Sequence, residues 1–190
     1  MIKDYDVNFE YGVASIITTP DNNYLFTGSY AGHLKQISLE SQQVVQDYGK
    51  IHSCDIPCLE TTRDSKWLIT GSWDGHVKRI SVESREVDKN FGQICDNAIT
   101  RMNITDVDEK LLVGDRIGQL KKISSRDGEL IKHFGHAHNY DISGIVITAD
   151  QKFFFTTSLD GRLKQWNSED NALVRDHGRI MDAHIYALCL

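Results

Sequence analysis

A single step of 43 residues runs through this chain and restricts what it can fold into. Residues 28–38 (GSYAGHLKQIS), 71–81 (GSWDGHVKRIS), 113–124 (VGDRIGQLKKIS) and 157–167 (TSLDGRLKQWN) are near copies of one another. Their glycines Gly32, Gly75, Gly118 and Gly161 lie 43 apart, and the register never slips. The same step links Thr19, Thr62, Thr105 and Thr148. It also links Tyr48, Phe91 and Phe134, and it links Val13, Ile56, Ile99, Ile142 and Ile185. Such a chain repeats one small structural unit, and each unit must bury its apolar surface against the next.

Within a period the segments read as strands. The second period runs IPCLETT (56–62), a turn at RDSK, WLITGS (67–72), a turn at WDG, HVKRIS (76–81), a turn at VESR and an edge segment EVDKNF (86–91). Ile, Val, Thr and aromatic residues fill the segments, and turn formers separate them. No long stretch shows apolar residues at helical spacing. Four short antiparallel strands repeated at roughly 40–45 residues are the period of a β-propeller blade. A lone blade is apolar on both faces and must be sandwiched between neighbours. The expected fold is all-β.

On these residues the chain resembles the WD-repeat β-propeller family over essentially its whole length. The family's marks are a His before strand a, a Ser or Thr in strand b, an Asp in the b–c turn and a Trp ending strand c. The resemblance implies that these four form a hydrogen-bonded relay inside one blade. Blade four carries all of them as His138, Thr156, Asp160 and Trp166. Blade two has His52, Thr70 and Asp74, with Ile80 in place of Trp. Blade one keeps only Thr27, with Phe9, Ala31 and Ile37 at the other places. Blade three has Cys95, Val113, Ile117 and Ile123 instead. Every blade also departs from the family just before the strand-c Trp position. An apolar residue is usual there, and here it is Gln36, Arg79, Lys122 or Gln165. Interblade packing is therefore expected to differ from the family's standard.

The period divides the chain into a strand d at 1–5, blade one at 13–48, blade two at 56–91, blade three at 99–134, blade four at 142–177 and an extra strand a at 185–190. That frame is a partial ring. It fits a piece of a longer propeller, two chains assembling one ring, or four blades closing alone. Self-association to complete a ring is the second of these.

The Thr, His and Asp of the relay could be mistaken for a hydrolase triad, but the family's relay is structural, so no catalytic residue and no enzyme activity is expected. His52, Cys54 and Cys58 lack the second spaced pair that structural zinc requires, so no metal is expected. Neither phosphate-cradling glycine loop occurs, and no cofactor is implied. Lys35, Lys78, Lys121 and Lys164 repeat at 43. They could serve phosphoinositide or nucleic-acid binding, although a lysine there is a family habit with its stem packed between blades. The net charge of −6 argues against a nucleic-acid surface. No apolar run is long enough for a membrane span. Four scattered cysteines and an acidic N-terminus suggest a cytoplasmic protein.

By the resemblance, the residue before the b–c turn Asp lies on the top face of the ring: Tyr30, Trp73, Arg116 and Leu159. So do residues between the His and strand a: Cys54, Asn97, Tyr140 and Ala183. Tyr, Trp and Arg are enriched at interface hot spots. The expected function is a protein-interaction scaffold that presents these residues to a peptide or domain partner. The alternatives are a regulatory propeller within a larger enzyme-containing chain, and the lysine-based ligand binding above.

Overall fold

The computed structural model describes residues 12–105 and 109–181. The expected strands at 1–5 and 185–190, with Phe9 and Ala183, lie outside the described residues. The chain divides into two compact units, Met1–Asp96 and Asn97–Leu190. Among the described residues all regular structure is β, in four antiparallel sheets of four strands.

The first unit holds two blades. Blade one is β1 (Val13–Thr18), β2 (Tyr24–Ser29), β3 (His33–Ser38) and β4 (Gln43–Lys50). Blade two is β5 (Cys58–Thr61), β6 (Trp67–Gly71), β7 (His76–Ser81) and β8 (Val87–Gln93). Pro57 has no N–H to give, and β5 starts directly after it. The second unit repeats the plan. Blade three is β9 (Ile99–Ile104), β10 (Lys110–Asp115), β11 (Gln119–Ser124) and β12 (Leu130–His136). Blade four is β13 (Ile142–Ile147), β14 (Phe153–Ser158), β15 (Arg162–Asn167) and β16 (Leu173–Arg179). In each sheet the strands pair in chain order, the simple meander that short turns allow.

The repeated threonine fixes the a–b turn. Thr19 Oγ1 donates to Asp21 Oδ1 at 2.5 Å and accepts the Tyr24 amide at 3.1 Å. Thr62 does the same with Asp64 (2.6 Å) and Trp67 (3.1 Å), and Thr148 with Asp150 (2.6 Å) and Phe153 (3.1 Å). One hydroxyl thus satisfies a turn carboxylate and the first amide of strand b.

The repeated isoleucine and aromatic ladders serve packing between blades of one unit. Ile56 and Ile142 are fully buried. Each is seated where the preceding blade has a glycine: a Cβ on Gly28 would lie 2.9 Å from Ile56 Cβ, and one on Gly114 2.9 Å from Ile142 Cβ. The first unit's core gathers Phe26, Leu34, Ile56, Leu59, Leu68, Ile80 and Val82. The second gathers Leu112, Leu120, Ala137, Ile142, Ile145, Phe154 and Trp166. Phe134 of β12 meets Phe154 and Trp166 of blade four edge to face, with ring centroids 5.8 and 5.3 Å apart.

Two of the four polar residues before the strand-c Trp position, Gln36 and Lys122, bridge adjacent blades of one unit, and Arg79 pairs with Asp88 of its own blade. Gln36 is fully buried, and its Nε2 donates to the Val82 carbonyl of blade two at 3.3 Å. Its Oε1 accepts from Tyr48 Oη at 2.8 Å. Burial pushes the Tyr48 phenol up to about 12, so it stays a donor. Lys122 plays the same part in the second unit: its Nζ donates to the Ser168 carbonyl (2.8 Å) and Asn171 Oδ1 (2.9 Å) of blade four. Val82 and Ser168 are equivalent positions two periods apart. In blades one and three the departure from the family pattern is thus an interblade hydrogen bond.

Candidate functional site

Three features meet at one end of blades two and four: the b–c turn, the loop leading into strand a, and the relay beneath them. The turn is locked to the loop by the main chain. The Trp73 amide donates to the Asp55 carbonyl at 3.0 Å, Arg116 to Ala98 at 2.9 Å and Leu159 to Asp141 at 3.0 Å. Ser72 Oγ donates to the Cys54 carbonyl at 3.3 Å, and Ser158 Oγ to Tyr140 at 3.0 Å. The two sets of residues expected on the top face therefore share one end of each blade.

Beneath the turn the blade-four relay is complete. Trp166 Nε1 donates to Thr156 Oγ1 at 3.0 Å, and Thr156 Oγ1 lies 2.8 Å from His138 Nε2. His138 Nδ1 lies 3.2 Å from Asp160 Oδ2. A carboxylate only accepts, so Nδ1 carries the imidazole proton and Nε2 accepts from the Thr156 hydroxyl. Asp160 also accepts the amides of Asn139 (3.0 Å) and Arg162 (2.9 Å), which ties the loop to the turn. Blade two repeats this. His52 Nε2 is 2.8 Å from Thr70 Oγ1, and Nδ1 is 3.2 Å from Asp74 Oδ2. Asp74 takes the amides of Ser53 (2.9 Å) and His76 (3.0 Å). Ile80, fully buried, fills the place of the missing indole. Thr70 and Thr156 are both fully buried.

Burial pushes His52 down to about 4, against the opposing pull of Asp74. Burial would raise Asp74, but the amides of His76 and Ser53 and the imidazole outweigh it and hold the carboxyl at about 2. The pair is a neutral imidazole donating to a carboxylate. The unfolded histidine, with its ordinary value of about 6.5, binds a proton where the folded one does not. The stabilisation is complete above that value and is lost as pH falls through about 4. At 1.36 kcal/mol per unit, the loss is on the order of 3 kcal/mol. Urea midpoints should drop accordingly between pH 7 and pH 4, and the His52 ring protons should show no titration above pH 5.5. A ring titrating near 6.5 would sink this account.

Blade one retains Thr27 without its partners. Its hydroxyl is buried and has no hydrogen-bond partner among the described residues. Blade three replaces the set differently. Where the other blades have Ser29, Ser72 and Ser158, it has Asp115, 1% exposed. Asp115 Oδ1 accepts from both Ile117 N (3.1 Å) and Gln119 N (2.8 Å). One carboxylate thus performs the two tasks that blade four divides between Ser158 and Asp160. Burial raises its carboxyl, against the pull of those two amides. The sequence signal was an Asp two residues before the expected turn position, a shift that alignment on Asp74 and Asp160 hides.

The outward residues differ between units. In the first, Tyr30 and Trp73 stand at the same turn position of adjacent blades and are 55% and 45% exposed. In the second, Arg116 lies 3.9 Å from Asp141, and Tyr140 is 62% exposed. Asn97 and Leu159 are half-buried. Two of the four strand-c lysines pair within their own blades, and a third reaches the segment that leads into its blade. Lys35 pairs with Asp47 and Lys164 with Asp176, each at 3.7 Å, and Lys78 donates to the Ile51 carbonyl. Among the described residues no cluster of His, Cys, Asp and Glu could hold a metal ion, and no helix is long and apolar enough to cross a membrane.

Four-stranded antiparallel blades at a 43-residue step, with a buried Trp–Thr–His–Asp relay, define a β-propeller segment. The family model "WD domain, G-beta repeat" matches residues 44–79 and 128–167, the stretches that contain the two intact His–Thr–Asp sets. The matched stretches and the fold together support a WD-repeat β-propeller. Its blades superpose on a crystal structure of the RRP9 WD40 repeats (TM-score 0.78, 14% identity, 88% of this chain and 51% of that one). They also superpose on a structure of U3-55K (0.77, 15%, 88% and 52%). A chain of the mitotic checkpoint complex is similar at 0.84, with 17% identity over 95% of this chain and 55% of that one. This chain therefore spans about half the length of the solved chains it resembles. No curated protein sequence matches it.

Proposed function

We propose that this protein is an interaction scaffold whose b–c turns and strand-a loops receive a peptide or a domain of another protein. The observation that carries this reading is the pair Tyr30 and Trp73, two large aromatics left exposed at the same turn of adjacent blades above a locked base. A rigid base lets exposed aromatics bind without loss of order in the loops that hold them. Arg116, Tyr140, Asn97 and Leu159 provide the corresponding surface in the second unit. One structural neighbour comes from the mitotic checkpoint complex, an assembly of proteins, which supports a scaffold role. Among the described residues Cys54, Cys58 and Cys95 form no disulfide, which suits a reducing compartment.

The test is affinity capture from native lysate with the intact protein, compared with Trp73→Ala combined with Arg116→Ala. Proteins retained by the wild type should bind the double variant about 30-fold more weakly, the loss of one hot spot of about 2 kcal/mol. Both turns are exposed, so the thermal midpoint should stay in place. Undiminished capture by a folded double variant would remove the turn end as the site.

A further inference from the structure

Strand d is the outer edge of each sheet, with a partner on one side only among the described residues. Such edges are open to strand addition unless something blocks them. Three blades carry the same block. Strand d bends at a glycine of positive φ, and the glycine amide is taken by the side chain two residues earlier. Gly49 donates to Asp47 Oδ1 (2.9 Å), Gly92 to Asn90 Oδ1 (3.0 Å) and Gly178 to Asp176 Oδ1 (2.8 Å). In β12 the glycine is Gly135 (φ 72), but the residue two before it is His133. Its Nε2 lies 3.1 Å from Gln119 Oε1, so the ring is held to the neighbouring strand. Gly135 lacks the side-chain acceptor that its three counterparts have.

Charge singles out the same strand, which also carries an exposed aliphatic pair like the one that opens β16 (Leu173 46%, Val174 49%). Leu130 and Ile131 open β12 at 55% and 44% exposure, and Lys132 and His133 beside them are exposed as well. β12 is also the one strand d without an acidic residue: β4 has Asp47, β8 has Asp88 and β16 has Asp176. An edge made of two aliphatic residues and two basic ones selects its partner by charge. Two copies of β12 side by side would oppose their own lysines, which disfavours self-pairing.

We propose that the outer edge of β12, from Leu130 to Gly135, accepts an extended acidic-aliphatic peptide segment of another protein as an added strand. Aliphatic side chains of the segment cover Leu130 and Ile131, its carboxylates meet Lys132 and His133, and a main-chain carbonyl takes the Gly135 amide. Register breaks against β11 flank Lys132 and His133. The paired run is therefore short, and side chains supply much of the affinity. This surface is separate from the turn end described above and does not depend on it.

The test uses a short capped peptide of alternating valine and glutamate at millimolar concentration against the isotope-labelled intact protein. A valine–lysine peptide is the control. The acidic peptide should shift the Leu130–His136 amide signals and slow hydrogen exchange at Gly135, and the lysine peptide should do neither. His133→Asp installs the block used by the other blades, and Lys132→Glu reverses the charge. Each should weaken binding about tenfold, the equivalent of one charge-assisted hydrogen bond. Lys132 is exposed, so its variant should keep the wild-type thermal midpoint and report on binding alone. The proposal is overturned if the acidic peptide does not bind or binds no better than the basic one. Shifts centred outside β12, wild-type affinity in both variants, or dimerisation of the free protein through β12 would overturn it equally.

Discussion

Replacing Gly118 by alanine should cost at least about 4 kcal/mol and leave little folded protein at 37 °C. Gly118 sits in the b–c turn of blade three at φ +81, where an L side chain is already strained. The larger cost comes from the neighbouring blade. An added Cβ would lie 2.1 Å from the His138 carbonyl oxygen and 2.6 Å from its carbon. That loop cannot retreat, because the His138 amide donates to the Gly118 carbonyl at 3.1 Å and the His138 ring anchors the relay. Gly178→Ala is the control. It has a similar φ of +73 but nothing within 4 Å of the added carbon. It should cost only about 1 kcal/mol, the conformational part alone. Urea titrations of the two variants separate the terms, and equal losses would show that the blade contact contributes nothing.

The second large effect is expected at Thr156. Valine has the same shape without the hydroxyl, so Thr156→Val strands the Trp166 N–H and the His138 Nε2 together. Two orphaned buried groups at about 1–3 kcal/mol each predict a loss of about 4 kcal/mol. Thr27→Val in blade one, the same position three periods earlier, should do the opposite. Its hydroxyl is buried without a partner among the described residues. Removing it should leave stability unchanged or raise it by about 1 kcal/mol. Thermal and urea midpoints of the pair decide the matter. Parallel losses would mean that the hydroxyl matters for packing and not for the relay.

The repeat made the fold legible because a blade's needs are local. A glycine at a fixed place in each turn, a threonine ahead of each a–b turn and aromatic or β-branched runs between them specify four short strands wherever they occur. His138, Thr156, Asp160 and Trp166 were legible as a set for the same reason, since all four lie within one period. Asp115 was not. It sits two residues before the expected turn position, and only the folded turn shows that its carboxylate reaches both amides. The strand-c lysines were ambiguous in sequence, because a repeated cation reads alike whether it faces solvent or an aspartate of its own strand d.

The order of strands and the all-β blade plan were therefore legible in the sequence alone, since each depends on residues close together in the chain. What joins one blade to the next was decided only by the tertiary structure. Gln36 reaches the Val82 carbonyl 46 residues away, and Lys122 reaches the Ser168 carbonyl at the same separation. A polar side chain carries no mark of its partner. Its partner is set by the distance between blades, and that distance exists only once the chain has folded.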